Sequence, residues 1–320
     1  MNYRIFSCLL FMPDNEIDET DCCGNGCTNC ILDNDNKPKP SKLALLAGKR
    51  NVILSYTNFR LISNKTHNGD AQIRLLHFVY AATTEDEDGD DDTILDIPPG
   101  HHVMLRAQLT DHATPLLRPY SPYWTDFAGK EFKILVKLQP DGAMSGFLSA
   151  LQPLQVLQFR GPIGNYVHDT SSAKCIVIIA QGVAIAPTMP LVSQVLDNED
   201  DINRIRHLIC AQDLQHVYFR ERLLEFAQYW NYHSCLYLTH QECTCSSNGR
   251  EHPCEHLRKQ LRYKEAAHTG RLDAKQLASQ VLPQEESIIV IVAGHSSFQR
   301  HMREVAVNAL NVTDDNIFLL

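Results

Sequence analysis

Arg118-Pro119-Tyr120-Ser121 gathers three side chains whose chemistry suits a bound phosphate ester with an aromatic ring. A guanidinium matches phosphate geometry, a phenol offers a flat apolar face, and a hydroxyl can donate or accept a proton. Two cysteine clusters are the other chemistry-bearing groups. Cys22, Cys23, Cys27 and Cys30 lie within residues 22–30, and Cys243, Cys245 and Cys254 lie within residues 243–256 together with His252 and His256. Four clustered thiolates can hold zinc or an iron-sulfur cluster. Adjacent Cys22 and Cys23 make closure around one ion awkward, so a redox dithiol and an inert tail stay open as readings. In the second cluster the Cys-x-Cys and Cys-x-His spacings are tighter than the usual metal turn, and a plain polar insertion is the simpler reading. His295 has no carboxylate near it in sequence and reads as a helix-start residue rather than a catalytic one.

These groups sit in a chain of 320 residues, 44% hydrophobic, long enough for two separate cores. The formal charge of -9, without a Lys/Arg cluster, argues against a nucleic-acid partner. The apolar run Ile5 to Met12 is about half of the roughly 18 residues that a membrane-spanning helix needs, so no transmembrane segment is expected. The 11 cysteines are too few for this length to suggest a disulfide scaffold. An intracellular, cytoplasmic protein is expected, with mitochondrial or membrane-surface association left open.

Residues 1–45 hold the first cysteine cluster and a polar Pro-containing linker. Residues 46–170 show short strand-like runs at Asn51 to Tyr56, Gln72 to Tyr80, His102 to Leu109, Phe132 to Leu138 and Leu154 to Phe159, the pattern of a β-barrel or sandwich. The acidic run Glu85 to Asp92 between two of them reads as a solvated loop. In residues 171–320 the pattern changes to continuous apolar runs, Cys175 to Ala180, Leu208 to Ala211, Cys235 to Leu238 and Ile288 to Ala293, with a helix expected over about Ala186 to Leu196. That is the signature of a doubly wound α/β nucleotide-binding domain.

Arg118-Pro119-Tyr120-Ser121 resembles the R-x-Y-S/T flavin motif of the ferredoxin-NADP reductase superfamily, in the Pro-containing form seen in NADH-cytochrome b5 reductases. Its ordered neighbours extend the likeness. Gly100 and His102 match a Gly-x-His strand, Val136-Lys137 a strand after the flavin motif, Gly142-Ala143-Met144-Ser145 the G-K/R-M-S phosphate turn, and Arg160 to Gly164 an R-G-P-x-G turn. The cysteines of residues 22–30 are similar to a short oxidoreductase-like motif at the start of some such proteins.

The resemblance implies a β-barrel flavin domain followed by an α/β nucleotide-binding domain, with FAD and NADH as cofactors. FAD would be held by Arg118, Pro119, Tyr120, Ser121, Val136, Lys137, Gly142, Met144 and Ser145, with Ser121 beside flavin N5 as the candidate catalytic residue. Gly182, Pro187 and Gly294 would line the nicotinamide site. Electrons would pass from NADH to FAD and on to a haem protein such as cytochrome b5.

Four departures bear on this. Ala143 replaces the basic residue of the phosphate turn, a loss of about 1 kcal/mol in a partly exposed site. Gln181-Gly182-Val183-Ala184-Ile185-Ala186-Pro187 keeps one glycine of the family's G-G-T-G-I-A/T-P, and a β-carbon at 184 is expected either to crowd the dinucleotide or to demand a shifted backbone. Ala293 stands where the family has a Cys beside the hydride path, and the chain ends on Leu320 where an aromatic is usual. The alternative reading is an FAD-binding pseudoenzyme, or a metal-binding interaction module, with an eroded NADH site.

Overall fold

The computed structural model describes residues 45–46, 48–82, 92–109, 113–170, 174–241, 255–282 and 287–320. The chain divides into two compact units, one ending at Asn165 and the other beginning at Tyr166.

The first unit contains β1 (Leu45–Leu46), β2 (Lys49–Asn51), β3 (Thr57–His67), β4 (Asp70–Tyr80), β5 (Thr93–Ile94), β6 (His102–Ala107), β7 (Leu116–Tyr120), β8 (Pro122–Asp126), β9 (Glu131–Lys137), α1 (Ala143–Ala150) and β10 (Val156–Ile163). Seven of the strands form an antiparallel sheet in the order β7-β6-β10-β3-β4-β9-β8. Its two ends are joined through Ser121 alone, so the sheet curls and one face encloses a core. Burial alternates along the strands, as the two-residue period of a half-buried strand requires: in β10 every second residue from Leu157 is buried. At the centre Phe59, Phe78, Phe132 and Phe159 are fully buried, with ring centroids 4.8 to 5.8 Å apart and mostly edge to face. Each ring contributes about 1.5–3 kcal/mol of burial. Met144, Leu148 and Leu151 carry α1 onto the same core.

The strand expected over Asn51 to Tyr56 is a correction. Only Lys49–Asn51 is strand, and the chain then turns. The Asn51 side chain accounts for it: Nδ2 donates to the Asp96 carbonyl at 2.7 Å, and Oδ1 accepts from Asp96 N and Ile53 N at 3.1 and 3.4 Å. Asn and Asp side chains bend the backbone in this way.

The second unit contains β11 (Cys175–Gln181), α2 (Thr188–Leu196), β12 (Arg204–Ala211), α3 (Arg220–Phe226), β13 (Tyr232–Leu238), α4 (Glu255–Gln260), β14 (Ala266–Thr269), α5 (Ala274–Ser279), β15 (Ile288–Ala293), α6 (Ser296–Leu310) and β16 (Ile317–Leu319). The strands form one parallel sheet in the order β14-β13-β12-β11-β15-β16. β11 is buried from Cys175 to Ala180, as a strand covered on both faces must be. The chain winds from β11 out to β14 and then returns to the other side of β11, so the strand order reverses between β11 and β15. Ligands of such sheets bind outside the carboxyl ends of the strands at that reversal.

Candidate functional site

In the first unit β7 pairs with β6 so that Arg118 faces Leu105, Pro119 faces Met104 and Tyr120 faces Val103. Leu116 and Tyr120 pack against the core, so alternation puts Arg118 on their strand face. Arg118 Nη1 donates to the Leu117 carbonyl at 2.7 Å, which fixes one edge of the guanidinium. Burial pushes the Tyr120 phenol up, opposed by the Arg118 cation, so the ring is neutral and presents an apolar face. Ser121 is half-buried in the one-residue link between β7 and β8.

β9 supplies an open backbone edge. Its pairing with β8 runs from Glu131 to Ile134 and stops there, leaving Leu135, Val136 and Lys137 unpaired on that side among the described residues. The Val136 side chain belongs to the core and Lys137 is exposed on the opposite face. Val136 therefore has only its backbone to offer a cofactor.

α1 begins at Gly142 with no side-chain cap and no acidic residue in its first turn, so its leading amides are unsatisfied by the helix itself. Ser145 Oγ accepts from Gln139 N at 2.9 Å, which leaves the hydroxyl proton to donate. A Cβ at Gly142 would stand 3.1 Å from Ser145 Oγ, so this helix start is built for a small residue. Met144 is buried and its side chain packs in the core. These features fit a diphosphate: anion-seeking amides and a hydroxyl donor, in the same unit as Arg118. His102 is pushed down to about 4 by burial and by His101 beside it, so it is neutral at physiological pH.

In the second unit Gly182 and Gly294 stand at the carboxyl ends of β11 and β15, beside the strand reversal. Gly182 has φ +55°, in the left-handed region that favours glycine, and opens a 3-10 turn to Ile185. Gln181, at φ -112°, and Ala184, without positive φ, stand at the two lost glycines and cost the backbone no strain. Pro187 is buried at the start of α2. A Cβ on Gly294 would meet Phe298 Cδ1 at 2.6 Å and Gln181 Cβ at 3.2 Å, which explains why glycine is kept there. His295 caps α6, its Nδ1 accepting from Ser297 N at 3.3 Å. Ala293 is fully buried in β15. The chain terminus is held by Leu320 N on the Val292 carbonyl at 2.9 Å, and Gln299 Nε2 donates to the Leu320 carbonyl.

Sequence reasoning missed His207. It is fully buried in β12, hydrogen-bonded to Thr188 at the start of α2 and to Tyr232 of β13, and so braces the turn that carries Gly182 and Pro187. A lone histidine in an apolar run carries no sign of this.

Among the described residues no group of His, Cys, Asp and Glu could hold a metal ion. Cys22, Cys23, Cys27 and Cys30, the acidic run up to Asp91, and Cys243, Cys245, His252 and Cys254 lie outside the described residues.

Residues 88–168 match the family model described as the oxidoreductase FAD-binding domain. A human protein named NADH-cytochrome b5 reductase-like is 23% identical over 303 residues, covering 93% of this chain and 91% of its own length. The chain is similar to NADH-cytochrome b5 reductase-like proteins along nearly its whole length. Among solved structures, the cytochrome b5 reductase domain of Ulva prolifera nitrate reductase superposes with a TM-score of 0.65 at 17% identity, covering 83% of this chain and 97% of that domain. The CS-b5R domains of human Ncb5or in its NAD+ form superpose with a TM-score of 0.64 at 18% identity, covering 83% of this chain and 69% of that one. The fold is the one these reductase structures share, a curled antiparallel sheet followed by a parallel α/β unit. No described helix is long and apolar enough to cross a membrane.

Proposed function

We propose that this protein is an FAD-dependent oxidoreductase that takes a hydride from NADH and passes electrons to a haem protein such as cytochrome b5. The observation that carries this is the uncapped start of α1 at Gly142 and Ser145, in the same unit as the half-buried Arg118 and the apolar-faced Tyr120. FAD, when bound, supplies the conversion between two-electron and one-electron chemistry.

Residues 46–170 form the flavin part in this reading and 171–320 the nucleotide part. Arg118 and the leading amides of α1, with the Ser145 hydroxyl, hold the diphosphate. Tyr120 and Pro119 lay apolar surface against the ring and its ribityl chain, and the backbone of Val136 and Lys137 offers hydrogen bonds along the open edge of β9. Ser121 would offer the bound flavin ring a hydroxyl able to donate or accept a hydrogen bond. No side chain acts as a nucleophile. Gly182, Pro187 and Gly294 frame the NADH site at the strand reversal, and with Ala293 in place of a thiol the positioning of the nicotinamide rests on shape rather than on a sulfur contact. The cysteines of residues 22–30 are assigned no part in this transfer, and an intracellular setting belongs to the same reading.

A direct test is steady-state reduction of ferric cytochrome b5 by NADH with the FAD-loaded protein. Turnover that saturates in both substrates supports the reading. Failure to reduce either cytochrome b5 or ferricyanide would reject it.

A further inference from the structure

Arg74 occupies an unusual place in the first unit. On β4, Leu76 and Phe78 point into the core, and alternation puts Arg74 on their face. It stands in register with Val136 of β9, whose side chain is in that core, and with Thr66 of β3. Helix α1 runs across this end of the sheet. Its start is tied to β9 and β4, since Gln139 N donates to Ser145 Oγ at 2.9 Å and Leu138 N to the Gln72 carbonyl at 2.7 Å. Its far end is tied to β3, where Asn64 Nδ2 donates to the Leu148 and Leu151 carbonyls at 3.1 Å each. Arg74 is two residues along β4 from Gln72, on the strand between the two anchors.

Its Nε is buried and has no hydrogen-bond partner among the described residues. A buried donor left unsatisfied is costly. One residue into α1, Ala143 leaves the phosphate turn without the cation that the resemblance leads one to expect there.

We propose that Arg74 supplies the cationic contact to the diphosphate of bound FAD, replacing from β4 the charge that Ala143 does not carry in the phosphate turn. This rests on the FAD reading above. The guanidinium reaches the anion from the strand beneath α1 instead of from the helix itself, and its fork of donors suits phosphate oxygens.

The test is fluorescence titration of the full-length apoprotein with FAD and, separately, with riboflavin, which shares the ring and lacks the diphosphate. Arg74→Gln is expected to raise the FAD dissociation constant about tenfold and leave that for riboflavin unchanged. Ala143→Lys should restore FAD affinity in the Arg74→Gln protein and gain less in the wild type, because the two cations serve one anion. Unchanged FAD affinity in Arg74→Gln overturns the proposal. So do equal losses for FAD and riboflavin, or strictly additive effects of the two substitutions, which would make Arg74 a packing residue. Should Arg74→Gln fail to fold, the wild-type and Ala143→Lys pair compared with Arg74→Lys decides the same point. Wild-type protein that binds riboflavin's ring and FAD equally poorly would instead reject the flavin reading itself, before any substitution is made.

Discussion

His207 and Tyr232 are hydrogen-bonded at 3.0 Å in the interior of the second unit. Thr188 Oγ1 spends its proton on the Ile185 carbonyl at 2.7 Å, so it must accept from His207 Nε2 at 3.2 Å. That leaves Nδ1 without a proton, and the Tyr232 hydroxyl donates to it. One tautomer therefore links β13, β12 and the turn before α2. Removing the hydroxyl in Tyr232→Phe leaves Nδ1 buried and unsatisfied, and the expected cost is about 1–3 kcal/mol in urea denaturation. If the brace matters for the dinucleotide, the same variant also raises the KM for NADH while the flavin spectrum stays as in wild type.

The same histidine gives stability a pH dependence. Burial pushes His207 down to about 3 from its ordinary value of 6.5, so the folded protein keeps it neutral while the unfolded chain protonates it. This contribution is full above pH 6.5 and is lost as pH falls from 6.5 toward 3, at up to about 1.4 kcal/mol per pH unit. His102, held at about 4, acts with the same sign from 6.5 down to 4. Urea midpoints measured at pH 7 and pH 5 should differ more for wild type than for His207→Gln; equal differences would contradict this.

Arg118 is the guanidinium on the apolar-faced side of β7. Arg118→Ala should raise the FAD dissociation constant by tenfold or more on the scale of about 1.5–3 kcal/mol for a charge-assisted contact, and Arg118→Lys should recover only part of it because an ammonium lacks the planar fork. Flavin fluorescence titration of the apoprotein reads both.

Gly294→Ala places a methyl 2.6 Å from Phe298 Cδ1, with backbone-near Gln181 Cβ 3.2 Å away on the other side. Overpacking of this kind is expected to cost about 1–3 kcal/mol. Adding Phe298→Leu should return part of the loss, and urea denaturation of the single and double variants measures it. The ring can also swing aside, in which case the loss falls at the lower end and the KM for NADH rises instead.

The parts of the fold that the sequence makes legible are those whose burial is uniform. Ile176 to Ala180 and Val290 to Ala293 are covered on both faces and read directly as parallel strands. β3 is absent from the expected strand runs, because Thr57–His67 buries only Phe59 and Leu61 of its 11 residues and so shows little apolar alternation. The flavin motif is local and therefore visible, and so is its departure at Ala143. Arg74 is not, since an arginine inside the run Ile73 to Val79 shows its role only once the register sets which face it shares with Leu76, Phe78 and Val136. The backbone at residue 184 also needed coordinates: within the 3-10 turn only Gly182 takes the left-handed conformation, so Ala184 carries no backbone strain.

Anaerobic addition of NADH to the FAD-loaded protein tests the central claim most directly, because it isolates the hydride step from any choice of electron acceptor. The account predicts rapid bleaching of the oxidised flavin absorbance in a single-turnover measurement, to an extent set by one NADH per FAD. A yellow protein that stays oxidised at millimolar NADH would contradict it, and would leave a flavin-binding protein whose nucleotide site no longer works.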